Sequence, residues 1–160
     1  MNEWQIDLIP ASETHDLRHR VLRAGKPLST CKFDGDTDLN TFHLGILQEM
    51  TGVSADSEKT ILGICSLYAR PIPDQTNDIN GSFWQLRGMA TAPEARQQGL
   101  GKRLLEAAEK EVIKRGGTGI WANAREAALN FYHHNGYQDI GGHFDIAEVG
   151  LHQRIIKRFV

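Results

Sequence analysis

Cysteine is scarce in this chain. Cys31 and Cys65 are the two it has in 160 residues, and neither a C-x-x-C pair nor a framework spacing is present. That excludes a disulfide-stapled scaffold and predicts two reduced thiols, with Cys65 in the core. Charge of one sign is lacking as well. Lys and Arg number 18 against 20 Asp and Glu, a net charge of −2, so bulk electrostatics gives no reason to expect nucleic acid. No run approaches the roughly 18–20 apolar residues that a membrane helix requires. Residues 1–17 carry neither the basic nor the apolar stretch of a secretion signal. These absences predict a cytoplasmic protein with no membrane or nucleic-acid partner. No H-E-x-x-H occurs, and the adjacent His133 and His134 leave a helix on different faces, so no metal is expected. What remains is ordinary globular material, 40% hydrophobic and 24% charged, enough for one domain over residues 1–160.

The informative stretch is residues 83–115. An apolar run of strand length (Phe83, Trp84, Leu86, Met89, Ala90) ends at Pro93. Arg96-Gln97-Gln98-Gly99-Leu100-Gly101 follows, and then an amphipathic helix with Leu100, Leu104, Leu105, Ala108 and Val112 on one arc. A strand, a glycine turn and a helix start aim backbone N–H groups and a positive dipole end at one spot, which suits a phosphate. Two nucleotide motifs are excluded. A P-loop needs a glycine where Arg96 stands and a hydroxyl where Arg103 stands, and a dinucleotide fingerprint needs a third glycine after Gly99 and Gly101.

In order along the chain, residues 4–9 read as a strand ended by Pro10, and Ser12 as the N-cap of a helix running to about Leu22. Residues 26–41 read as a loop in which Asp34, Asp36 and Asp38 form a solvated turn rather than a calcium site. Residues 42–47 and 60–68 form a hairpin, joined by a turn with Gly52, Asp56 and Ser57. Residues 70–81 are loop, Gly116-Gly117 caps the long helix, and 118–122 is a strand. A helix follows with Ala124, Ala127, Ala128 and Phe131 on one face, ending at Asn135-Gly136, and strands at 137–140 and 150–159 close the chain. This order predicts an α/β fold: one mixed, twisted sheet of about six to seven strands with helices on both faces.

The R-x-x-G-x-G of Arg96–Gly101 resembles the acetyl-CoA-binding motif of the GNAT superfamily of N-acetyltransferases. Ala128, Phe131, Tyr132, Gly136 and Tyr137 resemble its second diagnostic segment, at the expected separation. The resemblance covers residues 83–140 well, and the N-terminal half by order of elements. It implies the acyl-CoA N-acyltransferase fold and acetyl transfer from acetyl-CoA to a primary amine by direct attack in a ternary complex; a non-catalytic acyl-CoA-binding module is the alternative. Met89, Ala90 and Thr91 would bond the pantetheine arm through their backbone, with the N–H of Ala90, or alternatively Met89, steadying the oxyanion. The N–H groups of Gln98, Gly99, Leu100, Gly101, Lys102 and Arg103, with Gln97 in the same turn and the side chains of Arg96 and Lys102, would hold the diphosphate. Tyr132 would protonate the leaving thiolate, and Asn123 and Asn130 would touch the cofactor arm; Arg125 stands where many relatives carry asparagine.

An attacking amine must also lose a proton, and the central strand offers Gln85 and Arg87 but no carboxylate. His43, His143, Glu148 and His152 are candidate bases, or a water chain. Arg23, Asp34, His43 and His152 are candidates for the acceptor side. Clustered aspartates would favour a cationic amine, and Arg23 one bearing a carboxylate. The acceptor and a homodimer are left open.

Overall fold

The structure is a computed structural model, and it describes residues 4–49, 59–74, 82–147 and 149–159. The hairpin turn with Gly52, Asp56 and Ser57 lies outside the described residues, as does Glu148. Two compact units emerge. One comprises the described residues up to Tyr68 together with Gly88–Ala108, and the other comprises Ala69–Arg87 together with the chain from Glu109 onward.

In the first unit β1 (Trp4–Ile9), β2 (Phe42–Glu49), β3 (Lys59–Tyr68) and the end of β4 (Phe83–Thr91) hydrogen-bond in that order. β1 and β2 pair antiparallel from Trp4↔Gln48 to Ile9↔His43, and β2 and β3 pair antiparallel with a register shift between Ile46 and Leu47. β2 is buried without interruption from Phe42 to Leu47, as expected of a strand covered on both faces. Between β1 and β2 the chain winds through a 3-10 turn (Ala11–Thr14), α1 (His15–Leu17), a π-turn (Arg18–Leu22) and a 3-10 turn (Leu28–Cys31). Ser12 is not the N-cap. Pro10 takes that place at φ −71° and ψ 158°, and its carbonyl accepts the first bond, from the Glu13 N–H at 3.0 Å. The missing N–H of proline costs nothing at a helix start.

The second unit holds the start of β4, β5 (Gly119–Arg125), β6 (Gln138–Asp139), β7 (Phe144–Ile146) and β8 (Gly150–Arg158), in the order β4-β5-β8-β6 with β7 also on β8. β4 and β5 run parallel from Phe83↔Gly119 to Gln85↔Trp121, while β8 is antiparallel to β5, β6 and β7. Its core packs Ile72, Phe83 and Trp121 with Ile156 against them. α2 (Leu100–Lys114) starts in the first unit and ends in the second, and its predicted stripe of Leu100, Leu104, Leu105, Ala108 and Val112 is at most 1% exposed. The helix closes where Gly116 and Gly117 donate to the carbonyls of Ile113 and Val112.

A 3-10 turn (Glu126–Ala128) precedes α3 (Leu129–His134). Ala124 therefore belongs to β5, not to a helix face. Its pairing with Gln153 of β8 overrides the helical preference of alanine. β7, inside residues 141–149, was not expected and raises the count among described residues to eight strands.

Candidate functional site

The first unit carries the glycine turn. After β4 the Ala92 N–H donates to Leu62 O at 2.8 Å, a 3-10 turn (Pro93–Ala95) follows, and Arg96 is extended at φ −70° and ψ 161°. Gln97 and Gly99 then both take left-handed backbone, at φ +65° and +75°. Residues 96–99 are exposed, while Leu100 is buried and pins the start of α2. The first intrahelical bond runs from the Arg103 N–H to Gly99 O at 3.2 Å. The N–H groups of Gly99, Leu100, Gly101 and Lys102 therefore precede it and have no partner within the helix, whereas that of Arg103 is consumed. A Cβ built on Gly99 would meet nothing within 4 Å, so the backbone here faces open space. Lys102 and Arg103 are exposed beside these amides, Lys102 4.0 Å from Glu106 and Arg103 5.5 Å over the Trp4 ring.

Upstream in the same unit, Met89 and Thr91 are half-buried and Ala90 is buried. Gly88 just before them sits at φ +63°, which interrupts the pleat of β4.

Sequence reasoning missed the group packed beside this kink. Arg18 is fully buried, and its guanidinium meets Asp36 through two bonds, of 2.7 and 3.0 Å. It also donates to Cys31 O at 2.9 Å, Ser66 Oγ at 2.8 Å and Tyr68 Oη at 3.3 Å, and lies 3.9 Å over the Phe33 ring. Asp36 accepts further from the Phe33 N–H at 2.8 Å and the Tyr68 hydroxyl at 2.5 Å. Burial pushes the Asp36 carboxyl up, but the bonds from Arg18, Tyr68 and Phe33 and the Arg18 charge outweigh it and hold it at about 2. Asp36 is therefore no solvated turn residue, because a buried guanidinium needs its charge matched. The available signal was position: Arg18 lies beside Leu17 and three residues before Val21, on the apolar side of its helix.

His43 belongs to this cluster. Its Nε2 is 2.9 Å from Asp36 O, which can only accept, and its Nδ1 is 2.6 Å from Ser66 Oγ. The ring is thus the Nε2–H tautomer with Nδ1 accepting from the serine. Burial keeps it neutral and pushes its pKa down. Of the other acceptor-side candidates in this unit, Asp34 is exposed, and Arg23 is half-buried, 5.4 Å over Phe33 and bonded to Leu22 O at 3.1 Å.

In the second unit Tyr132 is 7% exposed, edge-on to Phe131 at 5.2 Å and to Tyr137 at 5.6 Å. The end of α3 is clasped. Tyr132 O accepts from the N–H groups of Asn135 and Tyr137 at 3.0 Å, and Lys157 Nζ bonds Asn135 O at 2.9 Å and Glu109 at 2.8 Å. Asn123 accepts from Arg154 Nε at 3.2 Å, and Asn130 is exposed. His152 is buried, stacked on Phe144 at 5.9 Å and 2.8 Å from Gly150 O, while His143 is exposed. Among the described residues no group of three or more His, Cys, Asp or Glu is placed to hold a metal.

Comparison with known proteins gives concordant findings. Residues 20–137 match the model of the acetyltransferase (GNAT) family. An uncharacterized N-acetyltransferase of Bacillus subtilis, YitI, is 30% identical over 148 residues, which span 92% of this chain and 91% of that protein. Among solved structures, an aminoglycoside 6'-N-acetyltransferase complexed with coenzyme A superposes with a TM-score of 0.70 at 16% identity, covering 98% and 97% of the two chains. Arabidopsis thaliana NAA60 in complex with a bisubstrate analogue gives 0.70 at 10% identity, covering 97% and 98%. These two structures share the fold.

Proposed function

Since the chain belongs to the acetyltransferase (GNAT) family, we propose that it carries the acetyl group of acetyl-CoA to a primary amine, by direct attack while both substrates are bound. The observation that carries the cofactor reading is the glycine turn. Four consecutive amides, from Gly99 to Lys102, stand at the positive end of a 15-residue helix beside open space. An anion with several acceptor oxygens matches them, and the diphosphate of acetyl-CoA is such an anion. That the neighbouring aminoglycoside acetyltransferase was solved with coenzyme A supports the same ligand.

The strand end supplies the second requirement. Attack on a thioester builds negative charge on the carbonyl oxygen, and a fixed backbone donor at Ala90, or Met89, stabilises it; losing such a donor costs about 10²–10³ in rate. Tyr132 takes the role that the family resemblance assigns it, protonating the departing thiolate. A phenol of pKa about 10 can do so for a thiol of pKa about 8–9. For the amine proton His43 is disfavoured as it stands, since both ring nitrogens are engaged, which leaves His143, Glu148, His152 or a water chain. The acceptor is proposed to be a small molecule. Release of free CoA thiol from acetyl-CoA, measured against a panel of amines, tests the proposal: amine-dependent release is expected, and tight acetyl-CoA binding with no release to any amine would point to the binding-module alternative.

A further inference from the structure

Arg18 neither faces solvent nor belongs to the glycine turn, yet its guanidinium makes five hydrogen bonds. Its guanidinium reaches the 26–41 segment at Cys31 O and Asp36, β3 at Ser66 and Tyr68, and the face of Phe33. β4 meets that assembly at Gly88. A Cβ built on Gly88 would sit 3.1 Å from Phe33 Cε2 and 3.3 Å from Arg18 Nε, both tighter than ordinary contact. The left-handed kink at Gly88 is therefore seated against the Arg18–Phe33 stack. The next two residues are Met89 and Ala90.

We propose that Arg18 and Phe33 are positioning residues for acetyl transfer: clamped by Asp36, Ser66 and Tyr68, they hold the Gly88 kink so that the Ala90 N–H, or alternatively that of Met89, points at the thioester carbonyl. The proposal rests on the reading that this backbone donor polarises the carbonyl, and it adds that the segment bearing Asp34 is tied to it through one buried side chain. The physical reason is rigidity. A donor tuned to a developing oxyanion must be fixed before reaction, and what packs against a kink helps to fix the strand there. A planar fork bonded to two segments, residues 26–41 and β3, holds a geometry that a single-point lysine would not.

A spectroscopic test avoids the unidentified amine. Acetyl-CoA labelled with 13C at the thioester carbonyl is bound to the full chain, and the carbonyl resonance is compared with that of free acetyl-CoA. A downfield shift is expected for the wild type. Phe33→Leu, which keeps apolar volume but removes the plate, and Gly88→Ala, which pushes the stack away, are expected to lose about half of that shift or more while still binding acetyl-CoA, because the glycine turn that meets the diphosphate is untouched. Thermal melting selects the variant that is folded, and either one suffices. A wild-type shift that survives intact in a folded variant overturns the positioning role alone. No shift in the wild type, with acetyl-CoA bound, overturns the underlying reading of Met89 and Ala90 and the proposal with it.

Discussion

Gln97 and Gly99 adopt nearly the same left-handed backbone two residues apart, and only one of them is glycine. The left-handed region costs a side-chain-bearing residue about 1–2 kcal/mol, so Gly99→Ala should destabilise the protein by about 1 kcal/mol, a fall of about 2–4 °C in a melting experiment. Gln97→Gly removes the same strain but gives the unfolded chain about 0.4–1 kcal/mol of extra freedom, so its melting temperature should stay within about 2 °C of wild type. At Tyr132 the expected variant is catalytic. Tyr132→Phe should keep CoA affinity and lose about 10–100-fold in kcat in a thiol-release assay; a full-rate variant would remove Tyr132 from the mechanism. At this scale the sequence was legible wherever a residue type is forced by backbone or chemistry, as at Gly99. At Arg18 only the inward position was legible; its partner was not, because no spacing in the sequence ties Arg18 to the distant Asp36.

At the scale of elements, the Arg18–Asp36 pair decides whether the 26–41 segment stays seated. Asp36→Asn leaves a buried guanidinium without its counter-charge, which should cost about 3 kcal/mol at neutral pH. The sign with pH follows from the carboxyl. Its folded value of about 2 lies below the ordinary 3.8, so its stabilisation is whole above about pH 4 and is lost as the pH falls through about 2. Denaturant titrations of wild type and Asp36→Asn should therefore differ widely at pH 7 and converge toward pH 2. A gap that stays constant would mean that the ion pair is not what holds the segment. His43 adds slope in the same direction. Burial keeps it neutral in the folded protein, while the unfolded chain protonates below about 6.5, so acid also weakens the fold there. Elements with a strong period were legible, α2 above all and β1 to its residue bounds. β7 was not: at three residues it has no period, and only its pairing with β8 makes it a strand. Ala124 failed for the related reason that β5 outcompetes a local preference.

For the whole molecule, any ligand that binds only the folded state raises its melting temperature. CoA at about 100 times its Kd adds about 2.7 kcal/mol, which for a chain of this size is about 5–10 °C. A wild-type protein indifferent to millimolar CoA would leave the fold without its proposed chemistry. The two motifs that carried the family reading, Arg96–Gly101 and the segment around Tyr132, lie within the residues that match the family model. The acceptor stayed illegible because its candidates are scattered side chains. Asp34 and His143 are exposed, His43 and His152 are buried, and no spacing in the sequence distinguishes them.

The central claim concerns the four amides that open α2, and calorimetric titration with CoA tests it most directly. Gly99→Glu puts bulk and negative charge where the backbone must meet a diphosphate, so the account predicts at least about a 100-fold weaker Kd than wild type in a variant that still melts cooperatively. Equal affinity in the two proteins would contradict it.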